Sequence, residues 1–559
     1  MLAGGGLDIL TGDYLAELTM LILARDRAKN PATGYAKTFL HQMEECMGLA
    51  LDGGVRIVAN AGGVNPAGLV EALRAIAANL GLNPRIAHVE GDDITSRAQE
   101  LHLGTPLSAN AYLGGFGIAA GLDAGADIVV TGRVTDASVI TGAAISYFGW
   151  GRRDHDQLAG ATVAGHVIEC GTQATGGNFS FFTEIPNLVR PGFPIVEIAA
   201  DGSSVVTKHP GTGGAVTVDT VLAQLLYEIT DARYAGPDVT TRLDTIRLDS
   251  VGADRVRISC VRGEAPPPDL KVSLNSVGGI RNEVTMILTG LDIEAKADLV
   301  RLQIEDALPA RPSELTWDLV RTDRPDSDTE ELASARLTVV GRDSDPATVG
   351  RAFSNSVVEI ALGTIPGFHM TTPPSSGQAY GVFTPGYVPQ DAVEHVAVLP
   401  GGERVRIPAP EATAALEPAA TDASRPGSAS QPVAADAPRA TGAGEATRRV
   451  PLGTIAGARS GDKGGNANIG VWVRREDEFD WLSTALTAEA LRELLPECAD
   501  LEITRTVLPN LRAMNFVIAG ILGEGVAYNA RFDPQAKGIG EWLRSRTIDI
   551  PESLLARAM

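Results

Sequence analysis

A chain of 559 residues with 44% hydrophobic and 21% charged residues exceeds one domain and can bury sizeable cores. Its 69 acidic against 47 basic residues leave a net charge of −22, which repels polyanions and argues against nucleic acid or anionic membranes as partners. The four cysteines form no C-x-x-C pair, no apolar run has transmembrane length and no signal-peptide pattern is present; a cytoplasmic protein without structural zinc is expected.

In chain order, Leu7–Leu10 reads as a strand end, with Thr11 or Asp13 capping a helix that carries Leu15, Leu18, Ile22 and Arg25 at helical spacing. Thr38–Leu51 is a second amphipathic helix, closed by Gly53-Gly54. Val55–Ala59 reads as a strand, Asn60–Pro66 as a loop and Ala67–Leu80 as a helix with Pro66 near its start. Arg85–Val89 is another strand, Gly114–Leu122 a helix and Asp127–Val130 a short buried strand. Strands and helices alternating at these lengths indicate βαβ units, hence an α/β fold around a parallel sheet.

From about Gly171 the pattern changes. Short strands at Ile195–Ala199, Thr245–Leu248, Arg255–Cys260, Val272–Asn275 and Val284–Leu288 are interrupted by helical segments at Thr220–Thr230, Glu294–Ala307 and Pro346–Leu362. A second α/β region is expected, with its boundary near 171–215. Pro408–Arg449 is rich in Ala, Pro, Thr, Ser and Gly and cannot bury enough surface to offset ordering, so it reads as a disordered tether. Beyond it, Val450–Ala456, Asn468–Arg474, Leu501–Thr506 and Asn515–Ala519, with helices near Thr487–Leu495 and Lys537–Arg544, form a small α/β sandwich.

Chemistry concentrates in a few stretches. In Ala126–Ser138, a strand runs into Thr131-Gly-Arg133 and then Thr135-Asp136, where a helix N-cap belongs; open parallel sheets bind ligands at such strand ends. Taken alone, the capping role for Thr135 or Asp136 ranks first. Gly115-Phe-Gly117 loosely matches a dinucleotide fingerprint, but Leu107–Leu113 makes a poor strand, so the glycines are read as close helix packing. His166, Glu169 and Cys170 share one face at a helix end, which raises the thiol and leaves His166 and Glu169 as acid–base candidates. Gly171–Asn178, with Thr175, Gly176, Gly177 and Asn178, could wrap an anion with N–H groups or be a plain turn. Gly457–Asn466 reads as a ten-residue loop, too long for a hairpin, in which Arg459, Asp462 and Lys463 suggest ligand or subunit contact. No zinc-protease, serine-hydrolase, kinase or calcium-loop signature occurs, and no cofactor is expected.

Leu7–Thr19, Asn60–Gly68, Val89–Asp93, Thr131–Ser138, Gly171–Phe179 and Arg459–Gly464, in that order, together resemble the acyclic terpene utilisation (AtuA) family. The resemblance covers roughly 1–395 as a main domain and 450–547 as a ferredoxin-fold-like domain. It implies catabolism of branched, isoprenoid-type acyl-CoA compounds and supplies no catalytic residues. Family members carry a further strand and a Gly-Asp loop upstream, so the chain is expected to start after them. The leading expectation is an enzyme on a carbonyl or thioester, of lyase, hydratase or hydrolase type. Asp136, Glu169 or His166 would handle protons, and Gly176 and Gly177 would hold an oxyanion. Arg133 and Lys463, with loop residues Asn60, Gly62 and Gly63, would hold a small anionic acyl substrate such as a CoA ester, in a homo-oligomer. The alternatives are a scaffold subunit for an acyl-CoA carboxylase, and a metal enzyme using Asp92, Asp93, Asp136 or Glu169.

Overall fold

The computed structural model describes residues 1–415 and 446–556. These group into two compact units, one of residues 1–275, 383–526 and 533 onward, the other of 276–382 and 527–532. The change of pattern at Gly171 therefore falls inside the first unit. Among the described residues no helix is long and apolar enough to cross a membrane.

The first unit is built on β1 (Ile9–Gly12), α1 (Glu17–Lys29), α2 (Lys37–Asp52), β2 (Arg56–Ala59), α3 (Pro66–Asn79), β3 (Ile86–Glu90), β4 (Ser108–Ala111), α4 (Phe116–Asp123), β5 (Ile128–Thr131), α5 (Ser138–Phe148) and α6 (His155–Ile168). Parallel strands lie in the order β1, β2, β5, β3, with 396–398 and 404–406 added antiparallel beyond β3. The two-residue period of a strand makes the layers. Ile57, Ala59, Ile128 and Val130 meet α2 and α3 through Met43, Met47, Leu69 and Leu73. Val58 and Val129 face the other way, toward Ile118, Leu122, Val139 and Ile140 of α4 and α5.

Three expectations need correction here. Leu18 and Ile22 face solvent; Met20, Leu23 and Ala24 are the buried side of α1, packing with Leu15 and Val64. Both stripes of α1 are apolar, so periodicity could not choose between them. Ser108–Ala111 is a strand after all, paired antiparallel with Val272–Asn275; its small residues suit a position buried on both faces. Gly457–Asn466 is no loop: Ala456–Lys463 is a strand paired with Asn466–Val473 through a Gly464-Gly465 turn.

That hairpin opens an antiparallel sheet in the order 456–463, 466–473, 513–518, 503–508, packed on helices at 476–485, 488–494 and 539–545. Most of the expected tether, 416–445, lies outside the described residues. Its flanks are held: Ala414 N–H donates to Pro266 O, and 447–451 pairs with 547–551.

In the second unit, antiparallel strands 314–320, 334–343, the latter half of 269–289 and 369–370 form one sheet. Helices 293–307 and 351–359 cover it with Val300, Ile304, Phe353 and Val357. The expected single helix over Pro346–Leu362 is interrupted at Gly350.

Candidate functional site

The loops after β1, β2, β3 and β5 converge at the carboxyl ends of the parallel strands, where such sheets bind ligands. After β5, Arg133 is buried, and its Nη1 donates to Asp136 Oδ1 and to Leu15 O, both at 2.9 Å. Its guanidinium lies 4.4 Å from the Tyr112 ring centroid. Asp92, after β3, holds this turn by accepting the Arg133 N–H at 2.9 Å and the Asn110 side-chain amide at 2.9 Å. After β2, Asn60 accepts the Tyr14 N–H at 2.7 Å and donates to Asp13. Gly62 donates its N–H to Thr131 O, tying the Asn60 loop to the end of β5.

Asp136 is therefore an ion-pair partner of Arg133 and not a helix cap; α5 starts at Ser138 without a side-chain cap. Thr135 instead shares a 2.5 Å hydrogen bond with Ser138 Oγ. Nor does Asp13 cap α1: its carboxylate accepts from Asn60 and from Leu15 N–H.

Asp136 keeps 35% of its side-chain surface open. Asp13, Glu169 and Lys463 are likewise half-buried, yet burial is the largest influence on each of their charges. Each acts on the charge of at least one of the others, so the four gather in one partly solvent-open cluster, termed the recess. Burial pushes Asp136 up to about 7 against the pull of Arg133, and Asp13, Glu17 and Glu228 push the same way. Burial and the charges of Asp136 and Asp13 hold Glu169 well above the ordinary carboxyl range. Glu17 behaves oppositely. Burial would raise it, but Arg133 and Lys271 hold it down at about 2, and it accepts the Tyr112 hydroxyl at 3.0 Å.

Glu169 reaches this recess because α6 lies close to the start of α5. A Cβ at Gly165 would stand 2.8 Å from Ala137 O. Cys170 donates to Glu169 at 3.1 Å and its thiol is pushed up by burial and by that carboxyl, as expected for a group that is not a thiolate. His166 is buried, hydrogen-bonds Leu225 O through Nε2 at 3.2 Å and is held down to about 4 by burial, so it stands neutral.

The second expected cluster is a built turn. Gly176 and Gly177 donate their N–H groups to Gln173 O and Thr172 O, so neither is open to an oxyanion in this arrangement. Thr175 Oγ1 lies 2.7 Å from Gly192 O and 3.0 Å from Thr172 O, either of which can accept its one hydrogen, and Asn178 is exposed in the left-handed region at φ 55°.

The C-terminal hairpin does reach the recess. Arg459 donates to Gln173 and lies 4.4 Å over the Tyr227 ring. Asp462 is 3.5 Å from Lys537 Nζ and is raised to about 6 by burial and Glu228. Lys463 Nζ donates to Glu228 O at 2.7 Å. Glu17, Tyr112, Lys271, Glu228 and Lys537 are partners that sequence reading did not single out. Among the described residues no three His, Cys, Asp or Glu side chains come together as metal ligands. Asp92 is engaged as described, and Asp93 pairs outward with Arg27 at 3.2 Å.

The model of the acyclic terpene utilisation family protein AtuA matches residues 1–399, and that of the AtuA ferredoxin-like domain matches 450–549. The chain belongs to the AtuA family. No curated protein and no solved structure matches it. The recess of this AtuA protein draws on both matched regions, with Asp13, Arg133, Asp136 and Glu169 from the first and Asp462 and Lys463 from the second.

Proposed function

We propose that the recess is a catalytic site of lyase or hydratase type, moving protons on a small anionic, branched acyl compound such as a CoA ester. The reading is carried by two carboxyls in different states within one enclosure: Asp136, raised to about 7 beside a buried arginine, and Glu169, raised well above its ordinary range. Paired groups whose environments separate their proton affinities are the usual arrangement for an acid and a base. Asp136, as carboxylate, takes a proton from the carbon next to the substrate carbonyl. Glu169 gives its proton to the β-hydroxyl, which leaves as water while the carbon–carbon double bond forms. Hydration is the reverse, and solvent restores both protonation states. Arg133 and Lys463 offset the negative charge that develops on the carbonyl side. The family's name for acyclic terpenes supports a branched substrate.

The test is turnover of a panel of branched 3-hydroxy acids, hydroxy ketones and their CoA esters by the full-length protein. Asp136→Asn is expected to lower kcat by about 10²–10⁴-fold, the range of a lost general base. Wild-type turnover in that variant removes Asp136 from the chemistry and the proposal with it.

A further inference from the structure

The turn that aims Arg133 and Asp136 is held from two sides. Asp92 takes the Arg133 N–H, and Leu113 grips the residues that follow. Leu113 N–H donates to Arg133 O at 3.2 Å and Leu113 O accepts the Thr135 N–H at 3.0 Å, a single parallel rung opposite Val134. Two residues on, the Gly115 N–H donates to Asp238 Oδ2 at 2.6 Å. The segment Leu113–Gly115 is thus fastened at one end to the turn and at the other to a buried carboxyl. It has no slack. A Cβ at Gly114 would stand 2.2 Å from Asp238 Oδ2, and one at Gly115 would stand 2.6 Å from Gly142 N in α5. Asp238 is itself braced. Arg152 Nη1 lies 3.7 Å from its Oδ1, while the same guanidinium sits 4.2 Å from the Phe116 ring centroid and donates to Pro408 O at 2.5 Å. The pair borders a cavity of about 20 Å³, lined in part by Pro408, Ala409 and Pro410. A space that small admits one water and no acyl compound, so Asp238 does not meet substrate there.

We propose that Asp238 is a positioning residue of the recess, which pins Leu113–Gly115 and thereby keeps Arg133 paired with Asp136. The proposal rests on the acid–base reading above and deepens it, naming what holds the proton-exchanging carboxyl in place. The path is short. It runs from the Asp238 carboxylate to Gly115 N–H, from Leu113 to Arg133 O and Thr135 N–H, and then along the 2.9 Å bond from Arg133 Nη1 to Asp136. A carboxylate that merely closed the start of α4 would end its influence at Gly115; the Leu113 rung carries it to the turn. Without the acceptor, the Gly115 N–H is left buried and unpaired, and the segment shifts to find another partner. Arg133 and Asp136 then part, because both ride on the turn that the rung fixes. Asp136 faces the charges of Arg133, Lys463, Asp13, Glu17, Glu169 and Glu228, and Arg133 is the cation on its own turn. Losing that cation leaves a carboxyl among carboxylates, which keeps its proton more firmly.

Two substrate-free measurements on the full-length protein decide it. Asp238→Ala removes the acceptor, Asp238→Asn keeps a carbonyl oxygen for Gly115, and Gly114→Ala displaces the carboxyl from the other side of the contact. The first measurement is amide hydrogen exchange at pH 7, resolved to single residues. Asp238→Ala should exchange about tenfold faster than wild type at both Gly115 and Thr135, and Asp238→Asn should restore protection at both. The second is the pH at which Asp136 takes up its proton, read as the melting difference that Asp136→Asn makes at each pH. In the wild-type background that difference opens through about 7. In the Asp238→Ala background its midpoint should move up by about half a pH unit or more, while Asp238→Asn leaves it in place. A purely structural contact would lower melting alike at every pH and leave the midpoint still. Fast exchange confined to Gly115, or an unmoved midpoint, overturns the positioning role and leaves the acid–base site standing. No melting difference at any pH in either background removes the acid–base reading and this proposal together. If Asp238→Ala does not fold, Gly114→Ala carries the same two expectations and the same two failures.

Discussion

Strand β5 is flanked by two aspartates, each 2.9 Å from an arginine nitrogen, and the two behave in opposite ways. At the amino end, Asp127 pairs with Arg85, a largely exposed side chain, and accepts the Arg85 N–H at 2.7 Å. Burial would raise Asp127, but Arg85 holds it below the ordinary range. At the carboxyl end, Asp136 is raised to about 7 in spite of Arg133, because it is enclosed and shares its surroundings with Asp13, Glu17 and Glu228. Contact with a guanidinium therefore does not settle a carboxyl's state; desolvation and like charges outweigh it here. One end of the sheet is an ordinary surface ion pair, the other a place where protons can be exchanged near neutral pH.

The largest expected effect follows from that asymmetry. As base, Asp136 must be ionised, so kcat/KM should rise with pH through about 7. It should fall again at higher pH, as Glu169 loses its proton. Stability should move the other way. The folded-state value of Asp136 lies above the ordinary one, so its contribution is fully present below the ordinary carboxyl range and is lost as pH rises through about 7. Asp136→Asn should thus melt higher than wild type at pH 8, by about 1 °C for each kcal/mol relieved in a chain of this length, while losing turnover. Equal melting at pH 8 would show that the carboxylate carries no cost there, and the contrast between the two ends of β5 would collapse.

Much of the scaffold around that contrast could be read from residue pattern. The β-branched runs at Ile57-Val58 and Ile128-Val-Val130 mark strands buried on both faces, and Pro66 marks the start of α3, where the structure adds Asn65 as the cap that accepts the Gly68 N–H. Asp136 and Arg133 were legible because they sit where a parallel strand ends. Asp13 occupies the same position after β1 and was missed as a site residue because a cap explained it locally. Glu228 gave no signal: it follows a helix, in the left-handed region at φ 58°, and reaches the recess only through the tertiary fold. The strand Ala456–Lys463 was hidden by its own composition. It lacks β-branched residues because it packs tightly, with Gly457 against Trp472 and Gly461 against Tyr227, and side-chain propensity cannot report that need.

Support for the recess can be broken without touching a charged group. Gly63 has φ 55°, and a Cβ there would stand 2.5 Å from Leu23 and 2.6 Å from Gly34 O. Gly63→Ala should cost about 1–3 kcal/mol, from strain and overpacking together. Because this loop carries Asn60, the hydrogen-bond partner of Asp13, turnover should fall as well. A chemical denaturation curve and the same turnover assay check both. A variant as stable as wild type would mean the loop relaxes freely, and it would then be a poor anchor for Asp13.

The smallest effect belongs to the other end of the strand. Asp127→Asn removes a charge whose partner, Arg85, is 61% exposed, so solvent screening keeps the loss small. Its pH dependence has the opposite sign to that of Asp136. The folded-state value lies below the ordinary one, so the stabilisation is present above the ordinary range and disappears as pH falls through the folded value. Melting curves should therefore separate Asp127→Asn from wild type at pH 7 and bring the two together in acid, with kcat unchanged throughout. A drop in kcat would mean that the amino end of β5 transmits to the recess. The two aspartates would then have to be treated as one electrostatic system, because a change at either end would alter proton exchange at the other.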